Sequence, residues 1–446
     1  MSGKLKQIHQ KAAGIDVGAA RFFVGIDGAD GKDEVMNFDT FTCGCKALVG
    51  YLQEKQITTV AMEATGVYWK VLHAMLVEAG IEVCVANGRH VKHVPGRKTD
   101  VKDCAWIKEL HSYGLLRGSF VPTGEVQEIR HYMRIREKCI DSKSDAVRRM
   151  DKALVSMNIR ISTVLSDIQG KSGMEMIKAI LAGERNVETL AKLCDSRIQK
   201  TKMDDVRKSL EGIYKTEELF ALQHAYDEYQ FYISQISKCD KEIKIVLEKV
   251  AKQKPDVNTE DEKFKRIYHN KPDIEDLDKL MMQIYEGKNL TVLPAVTSYT
   301  LLRFFSEVGT DFSAWPVKKQ FTAALQLAPS KYQSGNSRKY KKIPGTTKAG
   351  QILKEAAENL LRSKNLALGA FGKRIAARRG PNVAIKAMAR KLAEWIYDIV
   401  TKGTEFVETG IRKYEEKIQE QNLKWLKRQA NKLNLVLMNP KTAQII

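Results

Sequence analysis

Three short runs rich in β-branched and aromatic residues follow one another near the start of the chain, and no other feature limits its fold as much. They are Ala12–Val17 (AAGIDV), Arg21–Asp27 (RFFVGID) and Glu34–Thr42, each bounded by Gly or Asp. Runs of this length read as strands, and three in succession read as an antiparallel meander. The pattern then alternates. A helix over Lys46–Lys55 precedes a strand over Thr58–Glu63 (TTVAME), and a helix over Val67–Ala79 precedes a strand over Ile81–Ala86 (IEVCVA). A further helix opens at Asp100. A meander followed by alternating helices and strands predicts an α/β sheet of the ribonuclease-H-like (RuvC-like) kind across residues 1–122. Ligands of such sheets gather where neighbouring strands part.

Acids recur at telling places in this frame. Asp16 interrupts the otherwise apolar first strand, and Glu63 ends the fourth. A carboxylate in a buried strand costs several kcal/mol unless it is paired or binds metal. Asp100 and Asp103 open an apolar-periodic helix (Val101, Ala105, Trp106, Leu110), and a three-residue step puts both on one helical face. Two acids at a helix start also simply suit its dipole. Four acids in the order strand one, strand four, helix are more specific. They can hold two Mg²⁺ ions about 4 Å apart, one at the attacking and one at the leaving oxygen of a phosphodiester. Arg89, His90, Lys92, His93, Arg97 and Lys98 precede the helix and suit a phosphate substrate.

A formal net charge of +20 and a pI near 9.4 point to a polyanionic partner. No apolar run approaches a membrane span, and MSGKLKQIHQ has no apolar signal core, so a cytoplasmic, nucleic-acid-associated protein is expected. Seven scattered cysteines, an odd count, argue against a disulfide framework. Cys43 and Cys45 lack a matching second pair, which argues against zinc.

Residues 123–250 read as a helical, coiled-coil region. Met133, Ile140, Val147, Met150, Leu154 and Met157 fall on a heptad seam interrupted by Arg136 and Lys143. A second seam runs from Leu219 through Leu222, Tyr226, Tyr229, Ile233, Ile236, Ile243 and Leu247 to Val250, with Asp240 as its polar break. Such spacing suits an intramolecular hairpin or a dimer seam equally, and a polar break can set register. Gly170, Gly173 and Gly183 are expected to stop helices. The triplet Gly170–Ser172 lacks the rest of a phosphate loop. Residues 251–285 are charged and poor in apolar side chains, and read as a linker or a surface insertion.

Several blocks carry a resemblance. GIDVGAARFFVGID, AMEATGVYW, NGRHVKHVPGRKTDVKDCAW and GLLRGSFVP resemble the N-terminal RuvC-like half of the DEDD transposases of the insertion sequence one-ten family. By position, Asp16, Glu63, Asp100 and Asp103 match that family's acidic tetrad, and the resemblance implies Mg²⁺-dependent chemistry on DNA strands. Further on, LTVLPAVTSYTLLRFFSEVG resembles the opening of the family's C-terminal transposase domain, expected over residues 286–403. There Pro294-Ala295-Val296 replaces the usual Gly-rich turn of a helix–hairpin–helix.

The loop Pro329–Ser337 offers Ser330, Ser334 and Ser337 beside Gly335 and among Lys331, Arg338, Lys339, Lys341 and Lys342. A serine hydroxyl becomes a useful nucleophile when its proton is removed and cations offset the developing charge. On spacing alone the loop reads first as a polar turn on a basic DNA-binding face. The family carries a nucleophilic serine in the matching Ser-Gly block, which the resemblance places at Ser334, with Ser330 as the neighbouring alternative. The helix Val383–Tyr397 turns Ala384, Met388, Leu392 and Ile396 to one side, leaving Lys386, Arg390 and Lys391 for phosphates. Residues 404–446 form a basic amphipathic tail.

The resemblance therefore implies a DNA transposase acting on element-end and target DNA, with a composite site in a homo-oligomer, a dimer or tetramer. It also implies a structured non-coding guide RNA, which would account for the charge without a sequence-reading motif. A junction endonuclease using water needs the same acids but no serine. A non-enzymatic nucleic-acid scaffold needs neither.

Overall fold

The computed structural model describes residues 6–28, 32–86, 100–116, 118–122, 124–329, 331–334, 337–340, 347–363 and 367–438. It forms two compact units, Met1–Val121 and Pro122–Ile446.

The first unit is a five-stranded sheet in the order β3-β2-β1-β4-β5, compatible with a ribonuclease-H-like domain. The strands are β1 (Ala12–Val17), β2 (Arg21–Asp27), β3 (Asp33–Asp39), β4 (Thr59–Glu63) and β5 (Glu82–Ala86). The expected meander is present: β2 pairs antiparallel with both β1 and β3. β4 runs parallel to β1 and to β5. Alternation sorts the side chains into two faces. Ala13, Ile15, Val17, Val60, Met62 and Val85 enter one core with Leu48 and Leu52 of α1 (Thr42–Glu54) and Leu72 and Leu76 of α2 (Trp69–Glu78). Gly14, Asp16, Gly25, Ala61 and Glu63 hold the alternate positions and so belong to the other face. There Ala61 and Ala86 pack on Ile107 of α3 (Asp100–Ser112).

The second unit is built on an antiparallel helical hairpin within one chain, α4 (Gly124–Ser156) against α9 (Thr216–Lys252). Its two ends have separate cores. At one end four short helices form a cap: α5 (Ile161–Val164), α6 (Lys171–Leu181), α7 (Val187–Ala191) and α8 (Ser196–Leu210). Met150, Leu154, Ile177, Leu190, Leu210 and Leu222 fill that core. At the other end Ile129, Met133, Ile243 and Leu247 share a core with α10 (Leu277–Ile284), α11 (Ser298–Val308), α12 (Lys318–Ala324), α13 (Lys348–Arg362) and α15 (Pro381–Lys402). α14 (Ala367–Arg379) and α16 (Thr404–Lys432) complete the unit.

The polar breaks of the two seams meet. Arg136 Nε donates to Asp240 Oδ1 at 2.5 Å, with the two side chains 1 % and 4 % exposed. Arg136 also donates to Tyr299 Oη (2.8 Å) and to the carbonyl of Asn270 (3.1 Å), while the backbone amide of Asp273 donates to Asp240 Oδ2 (3.1 Å). Residues 251–285 are thereby tied down, and they differ from the linker that their composition suggests. Ile274, Leu277, Met281 and Ile284 are buried in the base core, and Lys265 Nζ donates to the carbonyls of Thr291 (2.5 Å) and Leu293. A handful of apolar anchors does this, too few to lift the average hydropathy.

Two glycines behave differently from one another. Gly183, at φ +96°, follows α6 as the expected stop. Gly173 instead lies buried inside α6, where a Cβ would stand 2.3 Å from the Ile168 carbonyl, so close approach explains it. In the turn before α11, Ala295 takes φ +57°, the conformation that a glycine would ordinarily supply.

Candidate active site

Helix α3 lies directly on the sheet, and glycine makes that possible. A Cβ at Gly14 would stand 2.2 Å from the Cys104 carbonyl and 2.3 Å from the Lys108 amide, and one at Gly25 would stand 3.1 Å from the Ala105 amide. Any other residue at Gly14 would lift the helix away.

The direction of α3 follows from contacts at its two ends. Near its C-terminus His111 Nε2 is 2.9 Å from Oγ1 of Thr59, the first residue of β4. Near its N-terminus the buried Cys104 thiol is pushed up to about 11, chiefly by burial, with the carboxylate of Asp16 adding to the effect. The helix therefore runs antiparallel to β1 and β4, and its first turn comes over their C-terminal ends. Asp16 and Glu63 are the residues found there. They lie one step beyond the last aligned pair of the two parallel strands, Ile15 and Met62. Both belong to the face that α3 covers. Asp103 is one helical turn before Ile107, which packs on Ala61, two residues before Glu63.

Asp16, Glu63 and Asp103 are all half-buried. Asp100 begins α3, but its side chain lies outside the described residues. Among the described residues, no three His, Cys, Asp or Glu side chains stand close enough to hold a metal ion. The donor chemistry nevertheless fits a hard divalent cation: carboxylates from β1, β4 and α3, on the sheet face that α3 covers. Arg89, Lys92, Arg97 and Lys98 fall outside the described residues.

Sequence reasoning missed a lysine in this unit. Lys108 is buried on α3, and its Nζ pairs with Asp27 and, at 2.5 Å, with Asp33. Burial alone would lower its pKa, but the two carboxylates hold it above the ordinary lysine value. A lone Lys in a helix carries no sequence signal of such pairing.

The serine candidates lie in the second unit. Residues Pro329–Ser337, read from the sequence as a loop, are in large part a two-stranded hairpin of β6 (Lys331–Ser334) and β7 (Ser337–Tyr340). Ser334 pairs with Ser337, so only Gly335 and Asn336 separate the strands in sequence. The strands are short and polar, which is why no hydrophobic alternation announces them. The segment lies between α12 and α13, and a contact joins the residues that flank it. Thr347 Oγ1 donates to the Leu325 carbonyl at 3.1 Å and accepts from the Gly350 amide. Ser330, Lys341 and Lys342 lie outside the described residues, as do the side chains of Ser334, Arg338 and Lys339. Ion pairs tie α4 to α11 and α13: Glu137 with Arg303 and Lys348, and Glu307 with Arg130 and Arg134. On α15 Arg390 pairs with Glu394 at 3.1 Å, and burial together with the charge of Lys354 lowers the pKa of Lys386.

No helix among the described residues is long and apolar enough to cross a membrane. A search of curated proteins finds no match for the chain. Two family models do match it. Residues 13–159 match one described as a transposase of the DEDD, IS110 type, and residues 287–370 match one described as the transposase IS116/IS110/IS902 family. Between them they cover just over half the chain.

Proposed function

Because the chain belongs to the IS110 transposase family and is a DNA transposase or recombinase, we propose that it exchanges DNA strands through a covalent link to Ser334. The carrying observation is the direction of α3, which brings its first turn over the strand ends that bear Asp16 and Glu63. Asp16, Glu63, Asp100 and Asp103 are the residues that would hold Mg²⁺. Bound there, Mg²⁺ would supply Lewis-acid stabilisation of the charge that develops at a phosphodiester.

The chain's own groups do the rest. Ser334 gives up its hydroxyl proton as Oγ bonds to phosphorus, and the phosphorus–oxygen bond to the departing strand breaks. The departing oxygen takes up a proton. One phosphodiester replaces another, so the second strand's hydroxyl can reverse the step without an external energy source. Arg338, Lys339, Lys341 and Lys342 offset the charge that builds on phosphorus oxygens. Arg89, Lys92, Arg97, Lys98, Lys386 and Arg390 track the DNA backbone. A structured guide RNA selects element-end and target DNA by base pairing. This part of the reading is supported by a charge of +20 on a chain without a recognisable base-reading motif. The active assembly is a homo-oligomer, a dimer or tetramer.

The test is to incubate the protein with element-end DNA, the adjoining non-coding RNA and Mg²⁺, and to resolve protein–DNA adducts on a denaturing gel. Ser334→Ala removes both adduct and recombination. Cleavage that persists in Ser334→Ala and in Ser330→Ala, with no adduct in the parent, would establish a water-dependent nuclease instead.

A further inference from the structure

The cap at the tip of the hairpin lies between the two matched segments, which end at residue 159 and resume at residue 287. It carries an open concavity of about 350 Å³ lined by Arg160, Thr163, Lys202, Asp205, Lys208 and Ser209, with Val164 as its apolar wall. The lining is three cations against one carboxylate. Two features make it more than a basic surface.

The first is a break in α8. Lys202 has φ −142° and ψ 22° in the middle of that helix, and the kink lies at the concavity. Lys202 Nζ makes one long contact, 3.5 Å to the Val164 carbonyl, which leaves further ammonium protons to donate. The second is the pattern of pairing. Among the described residues Arg160, Lys202 and Lys208 form no ion pair, whereas Arg207, next to Lys208, is held by Glu188 (2.7 Å) and Asp204 (3.0 Å). The Arg160 amide is fixed to the Ser209 carbonyl at 2.7 Å, which ties the start of the cap to the end of α8 across the site.

We infer that this concavity takes a phosphate of a polynucleotide backbone. Its lining offers charge and hydroxyls but no aromatic surface on which a base could stack, so the contact positions the nucleic acid without reading it. The inference rests on the reading of the chain as a nucleic-acid enzyme, but it concerns a different part of the molecule from the acids and the serine.

The experiment uses the full chain and fluorescence anisotropy at several salt concentrations, with a labelled DNA duplex in one arm and a labelled RNA hairpin in the other. The triple variant Arg160→Ala, Lys202→Ala, Lys208→Ala is compared with Lys192→Ala, Arg197→Ala, Lys200→Ala, which removes three exposed cations of the same cap outside the concavity. On DNA or on RNA the first variant flattens the log–log salt dependence by roughly 0.9, the contribution of the one phosphate no longer neutralised, and weakens binding alike for all sequences. The arm that responds identifies the polynucleotide. Equal slopes for the two triple variants in both arms overturn the inference. If the triple variant melts well below the parent, Lys208→Glu replaces it, and an unchanged slope in that variant overturns the inference just as well. At saturating nucleic acid and low salt the cap variant still forms the Ser334 adduct. A failure of the adduct assay in the parent would therefore count against the strand-exchange reading and not against this site.

Discussion

In the helical unit the Asp240 carboxylate is 4 % exposed and accepts from Arg136 and from the Asp273 amide. In the sheet unit Asp16 also lies in an apolar strand, yet it is half-buried at a strand end where Glu63 and the first turn of α3 converge. Both are acids in places where an isolated charge is costly. The first is enclosed and matched to a guanidinium, which fixes how α4, α9 and residues 270–273 sit together. The second stands at the C-terminal end of β1, on the face that α3 covers, one step past the last aligned pair of β1 and β4. The buried pair serves the architecture, whereas the strand exchange proposed above gives Asp16 to chemistry.

The largest expected effect tests the second half of that contrast. Asp16→Asn keeps the side chain's shape and removes its charge. Strand transfer should fall on the order of a thousandfold, the several kcal/mol that metal-assisted charge stabilisation supplies, measured at a temperature where the variant is folded. A variant that unfolds but retains activity when folded would place Asp16 with Asp240.

Asp240→Ala should do the reverse. Leaving Arg136 buried without its carboxylate costs about 3–5 kcal/mol of unfolding free energy, read by chemical denaturation. Replacing both partners, Arg136→Met with Asp240→Leu, should recover most of that loss. If the double variant is as unstable as the single one, the pair does more than satisfy itself, and its ties to Tyr299 and Asn270 carry the difference.

Gly14→Ala joins the two regimes, because it is a packing change that should reach the chemistry. The new methyl would meet the Cys104 carbonyl at 2.2 Å, so α3 must shift. Overpacking of this kind costs about 1–3 kcal/mol. Strand transfer should fall further than the lost stability explains, since Asp103 moves with the helix. Activity measured at a temperature where the variant is fully folded separates the two effects.

What the sequence disclosed follows the same division. The strands were legible because residues buried on one sheet face alternate, and Asp16 and Glu63 stood out as charges within that alternation. Arg136 and Asp240 were equally visible as interruptions of their seams. That they cancel each other depends on the register of two long helices, which neither seam encodes alone. Residues 251–285 were obscured because Ile274, Leu277 and Met281 are few among many charges. The hairpin around Ser334 was obscured because its strands bury no regular apolar row. The pinning of its ends by Thr347 depends on a contact between residues 22 positions apart.

The smallest expected effect lies at the other end of α3 and shows how far the seat of the acids depends on an uncharged neighbour. His111 is 5 % exposed, lies 2.9 Å from the Thr59 hydroxyl, and stacks on His9 with ring centroids 4.6 Å apart. Burial, and then the charge of His9, hold its pKa down at about 4. In the unfolded chain it titrates near 6.5, so as the pH falls the unfolded state takes up the proton first. The stability that comes from a neutral His111 is therefore complete above about pH 6.5 and is lost progressively as the pH falls towards 4. At pH 5.5 the loss is on the order of 1 kcal/mol. His111→Gln keeps a group able to hydrogen-bond Thr59 and cannot be charged. The difference in unfolding free energy between parent and variant should then slope between pH 4 and 6.5 and be flat above. A difference that stays flat throughout would mean that water reaches the imidazole, and that the C-terminal end of α3 is held to β4 less firmly than the Gly14 contact holds its middle.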